Sequence, residues 1–191
     1  YYCRPLLRHR ASADIRAGLI RDAQECILNG GQSAELYARG GGKTTWICEI
    51  AAIWALLYGH RRFIVTIGAS LKAAKKNLKT IRRHLARSRE ILADFPAVAI
   101  PIRHLGGVAQ RAASQTYHGQ ATDIEWGTDQ ITLPMLRNAY GSAIDHACGG
   151  ILAVTGVGGA IRGANEGGQR PDMLLFDDPQ TRKAAASPKL V

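Results

Sequence analysis

Apolar positions recur at helical spacing near the start of the chain. Ile15, Leu19, Ile20, Ala23 and Ile27 lie on one face, and Asn29-Gly30-Gly31 follows. That pattern predicts a helix over 12–28. A short strand is expected at 34–38, leading through a glycine loop into a helix over 43–58 that stops at Gly59. Trp46, Ile47, Ile50, Ala51, Ile53, Trp54, Leu56 and Leu57 make that helix apolar nearly all round, so burial on several sides is expected. "FIVTI" (63–67) is a β-branched run of the kind found in interior parallel strands. A long helix is predicted over 71–92, with Leu71, Ala74, Leu78, Ile81 and Leu85 as its apolar stripe. Lys72, Lys75, Lys76, Lys79, Arg82, Arg83 and Arg87 crowd the rest, and Asp94-Phe95-Pro96 ends it. Residues 97–120 give no regular pattern. Residues 122–135 read as a hairpin turning at Gly127-Thr128-Asp129. Buried-type strands are expected at 150–157 and 173–178. The tail after Pro179 is polar and alanine-rich. Continuous apolar strands alternating with helices imply an α/β fold with a mostly parallel sheet flanked by helices.

Composition narrows the class. The 191 residues, 46% of them hydrophobic, suffice for one domain with a core and argue against disorder. No apolar run approaches the roughly 18 residues of a membrane-spanning helix, and no signal-peptide pattern opens the chain. The chain begins "YYCRPLLRHR" and ends "ASPKLV", which reads as a piece of something longer. Cys3, Cys26, Cys48 and Cys148 are scattered and form no C-x-x-C pair, so reduced thiols are expected rather than zinc or a disulfide framework. The net charge of +10 favours a polyanionic partner, most simply nucleic acid.

Chemistry enters with "LYARGGGKTTW" (36–46). The phosphate-loop pattern is G-x-x-x-x-G-K-[ST]. Gly42-Lys43-Thr44 supply its second half, whereas Tyr37 stands where the first glycine belongs. Gly40, Gly41 and Gly42 give the backbone freedom to point N–H groups into one concavity at a helix N-terminus. Lys43 would reach the β- and γ-phosphates, Thr44 would ligate Mg²⁺, and Thr45 follows within the same binding stretch. Arg39 inside the loop is either a solvated side chain or a cation set against the γ-phosphate. The bland alternative is a glycine-rich turn with an exposed lysine. "MLLFDD" (173–178) supplies the partner such a loop needs, an apolar strand ending in carboxylates. Asp177 would orient the Mg²⁺ shell and Asp178 would polarise the attacking water.

These motifs, with "GVGGAIRGANEGGQRPDMLLFDDP", resemble the ATPase domain of the large terminase subunit of tailed bacteriophages. In that family the first loop glycine is replaced and an arginine sits inside the loop, as Arg39 does here. A glycine-rich I-R-G stretch is matched by Ile161-Arg162-Gly163, and R-P-D by Arg170-Pro171-Asp172. The resemblance spans roughly 35–179. It implies an additional-strand, RecA-like P-loop NTPase. A helical segment (1–33) would precede a core (34–191) that is truncated at its C-terminal end and lacks the family's nuclease domain. It further implies ATP and Mg²⁺ as cofactors and double-stranded DNA as substrate. The expected partners are the portal protein and the small terminase subunit, with a homo-oligomeric ring on the portal in the host cytoplasm. Many members carry Asp-Glu where this chain has Asp177-Asp178. Two other readings remain at this point: a helicase-like nucleic-acid translocase, and an inactive remnant that binds nucleotide or DNA without turnover.

Secondary candidates surround these. Arg162, between glycines, would sense γ-phosphate or touch DNA, unless a carbonyl simply satisfies it. The helix face of Lys75, Lys76, Lys79, Arg82 and Arg83 either tracks a phosphate backbone or is a solvated surface. Trp46 and Trp54 are expected in the core. Tyr37, Arg4 and Arg8 are weak candidates for an adenine pocket, and Glu125 and Asp129 carry no assigned role.

Overall fold

The computed structural model describes residues 13–34, 42–159 and 165–179. The expected strand at 34–38 therefore lies almost wholly outside the described residues, as do Arg4, Arg8, Tyr37, Arg39, Gly40, Gly41 and Arg162. Helix α1 (Ala13–Asn29) ends at Gly30, whose φ of 78° only glycine adopts freely. A π-helical segment (Thr44–Ala51) passes directly into α2 (Ala52–Leu57). Strand β1 (Phe63–Gly68) is buried at every position, as its β-branched run predicts. Helix α3 (Leu71–Arg87) carries Ala74, Leu78, Ile81 and Leu85 inward.

The single long helix expected over 71–92 is two. Ser88 sits in extended conformation and caps α4 (Arg89–Asp94) by accepting from the Ile91 amide. Its side-chain bond offers the backbone an alternative to continuing α3. Residues 97–120 are also more regular than their pattern suggests. They hold most of α5 (Pro96–His104), a 3₁₀ turn (Ala109–Ser114) and a small β2–β3 hairpin (Thr116–Tyr117, Gln120–Ala121). Pro96 opens α5 where a missing N–H costs nothing.

The main sheet has five strands in the order β4-β5-β6-β1-β7. Strands β6 (Ile151–Gly156) and β7 (Met173–Asp177) flank β1 in parallel. The hairpin β4 (Glu125–Trp126) and β5 (Gln130–Thr132) extends it antiparallel from β6. The architecture is thus α/β, with a mixed but mostly parallel sheet flanked by helices. Its largest core cluster gathers α2, α3, α5 and the sheet around Leu56, Ile64, Leu78, Ile102 and Leu152. Trp46 and Trp54 are only half-buried; the Trp54 ring lies tilted against His60 with centroids 4.6 Å apart. Among the described residues, no helix is long and apolar enough to cross a membrane.

Candidate functional site

The site forms at the C-terminal ends of the parallel strands, where open α/β sheets present their ligands. Gly156, Gly68 and Asp177 stand in register across β6, β1 and β7. Two of these positions are glycine for a steric reason. A Cβ on Gly156 would lie 2.7 Å from the Leu71 amide nitrogen, and one on Gly68 would lie 3.0 Å from that of Ala74. The bare strand ends let the first turn of α3 seat directly on the sheet. Ser70 fixes that turn by accepting from the Ala73 amide.

With α3 seated there, its side chains reach Asp177. The Thr44 hydroxyl donates to Asp177 Oδ1 at 2.7 Å, across 133 residues of chain. The Asn77 amide nitrogen donates to Asp177 Oδ2 at 3.0 Å. Both carboxylate oxygens are therefore held, one from the segment that follows the glycine loop and one from α3. Gly42 has φ of 79° and accepts from the Trp46 amide at 2.9 Å, so the left-handed glycine turns the chain into the helix. Lys43 follows at once. It lines a recess of about 900 Å³ together with Asp178 and the β7 strand. Asp178 lies just beyond β7 in left-handed conformation, φ 48°, a geometry aspartate tolerates better than most residues. Thr45 is half-buried in the π segment. The described members of the expected set thus share one edge of the sheet.

Three groups near this cluster carry unusual electrostatics or geometry. Glu49, in the π segment, is only 7% exposed. Burial raises its carboxyl to about 6, helped by the Asp177 charge and opposed by a Thr80 hydrogen bond and by Arg83 and Lys76. Cys48 is buried beside it, and desolvation, with Asp177 and Glu49, pushes its thiol far above the ordinary range. The π winding itself is the third feature, since such wide turns recur at functional sites.

The structure gives two cations of the basic α3 face local contacts. Lys75 pairs with Asp129 at 3.3 Å, and the Arg82 guanidinium lies 4.9 Å over the Trp126 ring. Both reach the β4–β5 hairpin. Asp129 thereby gains a role. Glu125 also gains one, accepting from Gln130 and Thr132 within the hairpin. What stays exposed on α3 is Lys72, Lys76, Lys79, Arg83 and Arg87.

Asp172 of the R-P-D motif sits at the opposite end of β7. Its carboxylate accepts from the Arg62 and Phe63 amides at 2.8 and 2.9 Å, fixing the start of β1. Sequence reasoning missed Asn77. The available signal was a polar residue on the apolar face of α3, between Ala74 and Leu78. No family model, curated protein or solved structure matches the chain.

Proposed function

We propose that this chain is the ATPase part of a DNA-packaging motor of the large-terminase kind, a Mg²⁺-dependent P-loop enzyme acting on double-stranded DNA. The observation that carries the reading is the 2.7 Å bond between Thr44 and Asp177. The hydroxyl that follows Gly42-Lys43 meets the carboxylate that ends an apolar parallel strand. A glycine turn with an incidental lysine has no reason to find that partner 133 residues away.

The donor set suits the expected ion. A hydroxyl and a carboxylate are hard oxygen ligands, and Mg²⁺ takes only one or two of these from protein, completing its shell with water and phosphate. When bound, it would neutralise charge developing on the phosphate oxygens. Thr44 and Asp177 would hold it. Lys43 would place its ammonium against the terminal phosphates, and the amides following Gly42 would donate to them at the start of the π segment. Asp178, which lines a recess with Lys43, would orient water for in-line attack and take its proton. Arg39 and Arg162 remain candidates to stabilise transition-state charge. The charge of +10 and the exposed cations of α3 supply the attraction for a DNA backbone. Portal protein, small subunit, ring assembly and the host cytoplasm belong to the same proposal.

The test is nucleotide binding and phosphate release by the chain, with Mg²⁺, with and without duplex DNA. Lys43→Ala is expected to lose nucleotide binding. Asp178→Asn is expected to keep binding and lose hydrolysis by about 10²-fold or more. Hydrolysis by Lys43→Ala at the parental rate would sink the reading, and hydrolysis retained in Asp178→Asn would move the base elsewhere.

A further inference from the structure

The bond from Asn77 to Asp177 belongs to none of the expected motifs. Asn77 is 7% exposed, so its amide is committed to the interior. Its partner oxygen, Oδ2, is the one Thr44 leaves free. Without Asn77 that oxygen would be a half-buried acceptor with no donor from α3, and among the described residues only Thr44 of the π segment would hold Asp177. Asn77 therefore fixes how the Asp177 carboxylate is turned toward Thr44.

Another face of the same helix is a charged ridge. Lys72, Lys76, Lys79, Arg83 and Arg87 are all exposed and recur every three or four residues, which places them in one row along α3. At 1.5 Å rise per residue the row runs about 22 Å, or about six base pairs of duplex axis at 3.4 Å each. Lys75 and Arg82 brace the helix sideways on the β4–β5 hairpin. Its first turn is seated on Gly68 and Gly156. One rigid element thus carries a polyanion-sized ridge outside and a grip on Asp177 inside.

We propose that α3 links a polyanion backbone bound on this ridge to Asp177, with Asn77 as the positioning residue at the link. The proposal rests on Asp177 being the acidic partner of a nucleotide site. It adds that Asp177's affinity for a divalent cation depends on Asn77 and on what α3 carries. Partners that orient a metal-binding carboxylate typically contribute 10–100-fold in metal affinity.

The experiment measures binding of a fluorescent ATP analogue to the chain as Mg²⁺ is titrated, with and without a 30-base-pair duplex. In the parent, duplex shifts the half-saturating Mg²⁺ several-fold. Asn77→Leu raises that concentration about tenfold and abolishes the duplex shift, while duplex binding itself is retained. Asn77→Gln keeps an amide donor and recovers most of the parental Mg²⁺ requirement, a rescue that a packing role alone would not produce. Lys72→Glu with Lys79→Glu binds duplex more weakly and loses the duplex shift; a shift that survives in it overturns the assignment of the ridge. An unchanged Mg²⁺ requirement in Asn77→Leu, or a duplex shift that survives in it, overturns the proposal, as does a parent whose Mg²⁺ requirement ignores duplex. If the parent binds no nucleotide, the nucleotide-site reading falls as well, which separates the two failures.

Discussion

Replacing Glu49 by glutamine tests the electrostatics of the site without touching any proposed ligand. Glu49 is buried in the π segment, and its carboxyl is raised from the ordinary 4.5 to about 6, chiefly by desolvation. The sign follows from linkage. A folded state that holds a proton more tightly than the unfolded state loses stability as pH rises between the two values. The penalty is absent below pH 4.5, grows through the window up to about 6, and is constant above it. The interval from 4.5 to about 6 is on the order of 2 kcal/mol at 1.36 kcal/mol per pH unit. Glutamine keeps the shape and can still accept from Thr80, but it carries no charge. Glu49→Gln should therefore stabilise the chain above pH 7 by about 1–2 kcal/mol, or about 2–8 °C in Tm for a domain of this size. Near pH 4.5 parent and variant should melt together. Urea unfolding of both from pH 4 to 8 isolates the effect, because every other carboxylate titrates in both proteins. A difference in stability that does not change with pH would refute the assignment. A difference that grows toward low pH would reverse its sign.

Three further outcomes are expected. Asp172→Ala removes the acceptor of the Arg62 and Phe63 amides and should lower stability by about 1–2 kcal/mol in urea unfolding; an unchanged midpoint would show that the β1–β7 register needs no clamp. Gly156→Ala drives a methyl to within 2.7 Å of the Leu71 amide, so it should cost about 1–3 kcal/mol and raise the Mg²⁺ needed for nucleotide binding, since α3 must lift. If the exposed row of α3 contacts phosphate, duplex affinity should fall with a log–log salt slope of about −4.5, from about 0.9 for each of five contacts, and Lys72→Glu with Lys79→Glu should flatten it by about 2; a slope unaltered in that variant would place the DNA elsewhere.

The sheet was legible because its strands are written in runs. β1, β6 and β7 are continuous apolar stretches, and β4–β5 flank a Gly-Thr-Asp turn. The helices were less so. The cut at Ser88 was hidden because the next residues, Arg89 to Leu92, continue a helical composition, and only a capping serine separates them. Residues 96–104 were obscured by Pro96, which read as the end of one helix and stands at the start of another. The π winding of 44–51 left no mark in the apolar pattern. At the site, Lys43, Thr44, Asp177 and Asp178 were readable as motifs because each acts within a local frame of strand, loop and helix. Asn77 was not, since its meaning is a partner 100 residues away. The contacts of Lys75 and Arg82 were hidden for the same reason. A charge on a helix announces its sign in sequence, but only the fold shows whether Asp129 or Trp126 has already taken it.

Register explains why the acidic strand needs an acid at each end. Among the described strands β7 pairs only with β1. Side chains alternate faces along a strand, and a slip of one residue would turn Asp177 away from Thr44 and Asn77 and bring Phe176 in. Met173, Leu174, Leu175 and Phe176 cannot resist such a slip strongly, because apolar contacts have no direction. Asp172 can. Its carboxylate takes two successive amides at the start of β1, and its own amide donates to the Phe63 carbonyl at 3.0 Å. That clamp sets the Asp177–Gly68 pairing five residues later. At that pair the absence of a side chain on Gly68 lets α3 settle close enough for Asn77 to reach the carboxylate. The position of the candidate metal-binding oxygen is thus determined from both ends of one short strand: by hydrogen bonds at Asp172, and by packing room at Gly68.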